Sequence, residues 1–200
     1  MTSNNPRESK RQLIMDAAIQ VFSRKGYHHS KMEEIAVEAG IGKGTIYEYF
    51  PSKLQLLQEI MEQSYYLYER SLESVIAPDV SLEEKLEALI RGHLQFCQNN
   101  QDLTRIIFLE TDVIDEELRQ WAWDKKLQKE QYLQEIIAQA ARRGEIKPMD
   151  NQLLTIVIGG ILMSFWAPIV VGNWQVDPSA AAQQVKDVVM HGLSLGKRPE

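Results

Sequence analysis

Two hundred residues with 44% hydrophobic side chains suffice for one ordinary domain, or a small domain joined to a larger one, with a real buried core. A single cysteine, Cys97, excludes an intrachain disulfide and a cysteine-based zinc site, and makes the reducing cytoplasm the default location. The net charge of −6 argues on average against nucleic acid, yet residues 1–53 hold eight Lys/Arg against six Asp/Glu, so the acidic excess lies in residues 54–200.

The opening MTSNNPRESKRQ has no apolar core of a signal peptide. Leu13, Ile14, Ala17, Ala18, Val21 and Phe22 then recur at helical spacing, predicting an amphipathic helix over residues 6–24 with Gly26 after its end. Lys10 and Arg11 flank its first turn, placed either to touch a phosphate or to stay solvated. His28 and His29 come next, in a loop; with no third ligand near them they read as solvated residues rather than a metal pair. Ser30 precedes Glu33 by three, the spacing at which hydroxyl and carboxylate cap each other's backbone N–H. Met32, Ile35, Ala36 and Ala39 give this second helix one apolar face, and Gly40 supplies a left-handed end. A third short helix covers residues 43–50 with Ile46 and Phe50 inward; Pro51 stops it, and Ser52 with Gln55 caps the next. Two short helices joined by a tight glycine turn describe a helix-turn-helix, and with the first helix they make a three-helix DNA-binding domain over residues 1–53.

The outward side of the third helix carries Lys43, Gly44, Thr45, Tyr47 and Tyr49. Ammonium, hydroxyl and phenol groups are the donors that reach phosphates and base edges. Gly42 and Gly44 leave no side chain where a DNA backbone approaches, and Ser30 and Lys31 open the preceding helix. Lys53 begins the fourth helix, whose N-terminal N–H groups point toward a phosphate. An ordinary helical corner with a solvated polar face fits the same pattern.

The stretch GIGKGTIYEYFPSKLQLL resembles the signature of the TetR family of bacterial transcriptional repressors. Gly42, Thr45, Ile46, Tyr47, Tyr49, Phe50 and Lys53 fit that signature position by position, with Tyr49 standing where many members carry His. The match covers about the first 55 residues; beyond them only helix order and length are similar. The resemblance implies a homodimer on palindromic double-stranded operator DNA. It also implies a C-terminal region that binds a small-molecule inducer and thereby alters the spacing of the two DNA heads.

Residues 54–200 read as a larger, all-helical sensing and dimerisation domain. Residues 53–77 form one long helix with Leu54, Leu57, Met61, Tyr65, Tyr68, Leu72 and Val75 along its stripe, ended by Pro78 and Asp79. Ser81 and Glu84 cap a fifth helix whose inner face includes Leu86, Ile90, His93, Leu94 and Cys97. Asn99–Asn100 breaks it; a sixth helix covers residues 103–110 and a seventh residues 115–144. Trp121 and Trp123 near the start of the seventh cannot share one face, so one is expected in a cavity and one at a surface. Eighth and ninth helices start from Asp150 and Asp177, before the tail LSLGKRPE, which reads as frayed. No strand alternation and no internal repeat occur, so the fold class is all-α with about nine helices.

Residues 153–171 contain no charge, nearly enough apolar length to span a bilayer. Gly159, Gly160, Ser164 and Pro168 dilute that stretch, and a helix apolar all round can instead be buried between its own domain and a second copy. Gly160 and Ser164, four apart, favour close approach of another helix, and Val185, Val188, Val189 and Gly192 form the seam of the ninth. The expectation is a homodimer through these two helices, with no membrane.

His93 and Cys97, one turn apart, fit a plain core pair, a metal site or a reactive thiol–imidazole pair. No serine-nucleophile elbow, P-loop or dinucleotide fingerprint accompanies them, so the chain is read as no enzyme, with no cofactor and no metal. Tyr68, His93, Phe96, Cys97, Phe108, Trp121, Tyr132, Met163, Phe165 and Trp166 are the candidates to line an effector cavity, with His93 or Glu110 as polar anchor. Such a lining suits a lipophilic or aromatic effector; simple core packing explains any one of these positions equally well. The function read from the sequence is a ligand-responsive repressor released from operator DNA by that effector. A small enzyme or ligand carrier using the C-terminal cavity, with the corner serving only packing, is the alternative.

Overall fold

The structure, a computed structural model, describes residues 6–73, 80–109 and 116–192. Among them are ten helices and no strand: α1 (Pro6–Lys25), α2 (Met32–Glu38), α3 (Lys43–Tyr49), α4 (Lys53–Glu73), α5 (Leu82–Asn99), α6 (Gln101–Leu109), α7 (Glu116–Arg142), α8 (Asn151–Ser164), α9 (Trp166–Val170) and α10 (Pro178–His191). The expected end of the fourth helix at Val75–Asp79, the Glu110 anchor and the tail LSLGKRPE lie outside the described residues. The chain divides into two compact units, residues 1–67 with 100–120, and residues 68–99 with 121–200. The part of α4 up to Leu67 lies in the same unit as the helix-turn-helix.

In the first unit, α1 buries Ile14, Met15, Ala17, Ala18, Val21 and Phe22, against which α2 and α6 pack. Leu56, Leu57, Ile60 and Met61 of α4 are fully buried, as are Ile35, Ile46 and Phe50 of the corner. Gly40 (φ 65°) ends α2, with Ile41 N–H bonding back to the Ala36 carbonyl (2.9 Å) and Gly40 N–H to Val37 (3.0 Å). This six-to-one, five-to-two pair is the helix ending that glycine permits.

The α2 start differs from expectation. Lys31, not Ser30, is the N-cap; the backbone N–H of Lys31 donates to the Glu34 carboxylate at 3.1 Å. Ser30 instead turns inward, and its hydroxyl donates to the Gly26 carbonyl at 2.6 Å. Burial leaves a hydroxyl needing a partner, and the end of α1 supplies one.

In the second unit, α5 and α10 form the most extensive helix pair. Lys186 of α10 bonds Glu83 (2.9 Å) and lies 3.6 Å from Glu87, both on α5. Ser81 and Glu84 make the expected reciprocal cap, and Asp150 and Asp177 cap α8 and α10. One buried cluster joins Leu82, Leu86, Ile136, Ile137, Ala140 and Ile158; another joins Ile90, Leu94, Cys97, Ile169, Val170 and Ala182.

The single apolar helix expected over residues 153–171 is two helices, broken at Phe165. Pro168 has no N–H for the Ser164 carbonyl four residues back, and its ring crowds that carbonyl, so the helix cannot run through. Residues 151–170 remain together long and apolar enough to cross a membrane, but α8 alone spans about 21 Å against the roughly 30 Å of a bilayer core.

Candidate functional site

The corner holds α3 with one side bare. Lys43 and Tyr47 are exposed, Thr45 is half-buried, and a Cβ built on Gly44 meets nothing within 4 Å. Gly42 is the extended N-cap, its carbonyl accepting from Thr45 N–H at 3.0 Å. Lys31 is exposed at the start of α2. Lys43 Nζ pairs with Glu33 at 2.7 Å, and this hydrogen bond holds the Glu33 carboxyl below its usual range. Both partners are solvent-exposed, so the pair is weak and a phosphate can replace Glu33.

Three of the sequence-derived DNA candidates are committed elsewhere. Ser30 is buried and bonded to Gly26, so its hydroxyl does not face outward. Lys53 does not extend toward solvent either. Its ammonium donates to the carbonyls of Tyr27 (2.6 Å) and Ser30 (2.8 Å) and lies 4.2 Å from the Tyr27 ring centroid. Tyr49 is half-buried at the end of α3, under Arg7, with its carbonyl taken by Arg11 at 3.0 Å.

The sequence leaves Arg11 between a phosphate and solvent; the structure gives it neither. Its guanidinium grips both Glu59 oxygens, bonds the Tyr49 carbonyl, and stacks 4.4 Å from the Phe50 ring centroid. Arg11 thus ties α1 to α4 and to the end of α3, and Lys53 ties the start of α4 to the loop between α1 and α2. The signal for this was an Arg and a Glu 48 residues apart, which periodicity along one helix cannot reveal.

A second constellation lies in the other unit. Tyr68 Oη is 2.9 Å from His93 Nδ1, and Cys97 Sγ is 3.6 Å from His93 Nε2. Phe96 meets the Tyr68 ring edge-on at 5.1 Å, and Lys129 Nζ sits 4.3 Å from the centroid of that ring. Burial pushes His93 down to about 4, offset in part by a hydrogen bond with the Leu162 backbone, so the imidazole is neutral at pH 7. A neutral imidazole gives Cys97 no cationic neighbour to stabilise a thiolate, which favours the core-pair reading of His93 and Cys97. Burial also pushes Lys129 down to about 8, with Glu69 opposing and Lys125 assisting.

Of the ten cavity candidates, Tyr68, His93, Phe96 and Cys97 are brought together. Phe165 and Trp166 pack against the Ile90–Ala182 cluster, Phe165 also stacking on Trp174. Trp121 is half-buried, while Tyr132 and Met163 are exposed. Met163 is exposed on the side of α8 that also carries exposed Ile156 and Gly160. The Phe108 side chain lies outside those described. Of the dimer candidates, Gly160, Ser164, Val188 and Gly192 are exposed, but Val185 and Val189 pack against their own chain's clusters. Exposed His28 stacks edge-on with Tyr27, and no group of three metal-ligating side chains occurs among the described residues.

Comparison with known proteins agrees with this geometry. Residues 14–60 match the family described as bacterial regulatory proteins of the tetR family, and residues 79–167 match the tetracyclin repressor-like C-terminal domain. The chain belongs to the TetR family. As a TetR-family protein it is a transcription regulator with a helix-turn-helix DNA-binding domain and a C-terminal ligand-binding domain. The fatty acid metabolism regulator protein of Bacillus subtilis (strain 168) is 28% identical over 90% of this chain and 93% of its own length. The crystal structure of FadR from Bacillus subtilis in complex with stearoyl-CoA superposes with a TM-score of 0.77 at 28% identity, over 92% of this chain and 99% of that one. The fatty acid degradation regulator FadR of Bacillus halodurans gives 0.80 at 26% identity, over 96% and 98%.

Proposed function

We propose that this TetR-family regulator is a cytoplasmic repressor that binds a palindromic operator as a homodimer and is released by a long-chain acyl-CoA or a related acyl effector. The observation that carries the DNA reading is the bare side of α3, where Lys43, Gly44 and Tyr47 are exposed beside half-buried Thr45 while Arg11 holds the Tyr49 carbonyl at the end of the helix. One such helix reads few base pairs; two held about 34 Å apart read successive major grooves. Dimerisation is supported by one face of α8, where Leu153, Ile156, Val157, Gly160, Met163 and Ser164 recur at helical spacing and are all exposed, Ile156 at 61%. A second copy covers such a stripe, and the bare Gly160 allows the helices to approach closely. The effector class is supported by the similarity, along nearly the whole chain, to a regulator crystallised with stearoyl-CoA.

Release is equilibrium linkage: apo dimer favours operator, and effector favours a conformation that fits it less well. Selection of bound duplexes from random DNA with purified protein, followed by titration of the selected operator with lauroyl- and stearoyl-CoA, tests the whole reading. A palindromic site whose occupancy falls on adding either thioester is expected. Failure to enrich any sequence removes the DNA assignment, and an enriched operator indifferent to both thioesters removes the effector class.

A further inference from the structure

The carboxylates of α2 are each held by a different cation. Glu34 pairs with Lys25 at 2.7 Å and Glu38 with Arg24 at 2.6 Å, both cations lying in the last turn of α1. Glu33 reaches the other way, to Lys43 Nζ at the start of α3, at 2.7 Å. Exposed Lys31 adds its field to the same carboxylate, and the hydrogen bond from Lys43 keeps Glu33 ionised at pH 7. A negative group thus stands among the exposed lysines that the corner offers to a phosphate. The Glu33 and Lys43 side chains are 46% and 67% exposed, so no core packing depends on their pairing. Their geometry is the one a phosphate takes at a lysine, an anionic oxygen within hydrogen-bond distance of the ammonium.

We propose that Glu33 competes with DNA for Lys43, standing in for a phosphate in the free protein and so restraining the affinity of the corner for duplex. The inference rests on the DNA reading above and goes beyond it by naming a residue that opposes binding. Only molecules in which Lys43 has left Glu33 offer its full charge to DNA, and apparent affinity is reduced by that fraction. An arriving phosphate also meets the carboxylate it displaces, and the two anions repel. The restraint acts on a phosphate contact, so it applies to any duplex sequence.

The test is fluorescence-anisotropy titration of a labelled mixed-sequence duplex at fixed low salt with the full-length protein. Wild type, Glu33→Gln, Lys43→Ala and the double variant are compared. Glu33→Gln alters an exposed side chain and keeps its size, so folding is not at stake. It is expected to tighten duplex binding at least twofold, as suits an exposed pair, and damage to α2 could not produce such a gain. More than half of that gain in log K should disappear when Lys43 is absent. The proposal is overturned if Glu33→Gln gains less than twofold. It is also overturned if half or more of the gain survives without Lys43, which would make Glu33 a source of general repulsion. Wild type that binds no duplex overturns the DNA reading itself, and this restraint with it.

Discussion

Lys43 and Lys53 are ten residues apart and carry the same charge, yet the structure gives them opposite work. Lys43 stands in solvent with one exposed partner, so Lys43→Ala should leave the melting temperature unchanged. The same substitution should lower the salt slope of operator binding by about one unit. Tyr47→Ala, at an exposed position on the same helix, should cost about 1–3 kcal/mol of operator affinity if the phenol reaches a base edge. Fluorescence titration at fixed salt measures both, and unchanged affinity for the pair would remove the α3 assignment. Lys53→Met should instead destabilise the fold by about 1.5–3 kcal/mol, the range for hydrogen bonds to a charged group, because the Tyr27 and Ser30 carbonyls lose their donor. Chemical denaturation reads this directly. His93 supplies a pH dependence. Its folded value of about 4 lies below the ordinary 6.5, so the unfolded chain binds the extra proton between those values. Stability should therefore rise with pH from about 4 to 6.5 and be lost as pH falls through that window, by at most about 3 kcal/mol. His93→Gln should flatten that part of the profile relative to wild type.

At the scale of elements, α8 makes the clearest demand. Its inner side contributes Thr155 and Ile158 to the core, while its outer side is apolar and uncovered within one chain. Gly160 has open space around a built Cβ, so Gly160→Leu should not strain the single chain, and it removes a glycine penalty of about 0.8–1 kcal/mol within a helix. The same side chain blocks close approach of a second copy. Sedimentation should then show a dimer for wild type and a monomer, or a dimer weakened at least tenfold, for Gly160→Leu. A variant as dimeric as wild type would place the interface elsewhere. α4 raises a different point: its first turns are fastened by Arg11 and Lys53 within the first unit, and from Tyr68 onward it belongs to the second. Tyr68, which meets His93, and the Glu59 and Lys53 side chains that hold the corner thus lie on one helix.

For the molecule as a whole, thermodynamic linkage makes a prediction that no single side chain can make. If saturating acyl-CoA weakens operator affinity a hundredfold, operator duplex must weaken acyl-CoA affinity by the same factor, about 2.7 kcal/mol. Calorimetric titration of acyl-CoA into free and operator-bound protein checks this, and equal acyl-CoA affinity in the two would show that effector and DNA sites are not coupled. If the proposed homodimer is the species that binds operator, apparent operator affinity should also fall at protein concentrations below the dimer dissociation constant.

The sequence by itself determined the helices and the corner. Capping residues, glycine stops and 3.6-residue periodicity are local, so Ser81 with Glu84, Asp150, Asp177 and Gly40 could be placed without knowing what they pack against. The exposed side of α3 and the one-turn spacing of His93 and Cys97 were legible for the same reason, since each set lies along one helix, whereas the meeting of Tyr68 with His93 was not. Tertiary structure alone decided what long side chains reach. A lysine or arginine spans several ångströms from its Cα, and its partner is set by whichever backbone the fold brings near. So Lys53 went to the Tyr27 and Ser30 carbonyls, Arg11 to Glu59, and Lys129 to the Tyr68 ring. Hydrophobic faces were likewise ambiguous in sequence, because burial in one's own core and burial against a second copy demand the same residues. The structure packs Val185 and Val189 inward and leaves Ile156 and Met163 exposed.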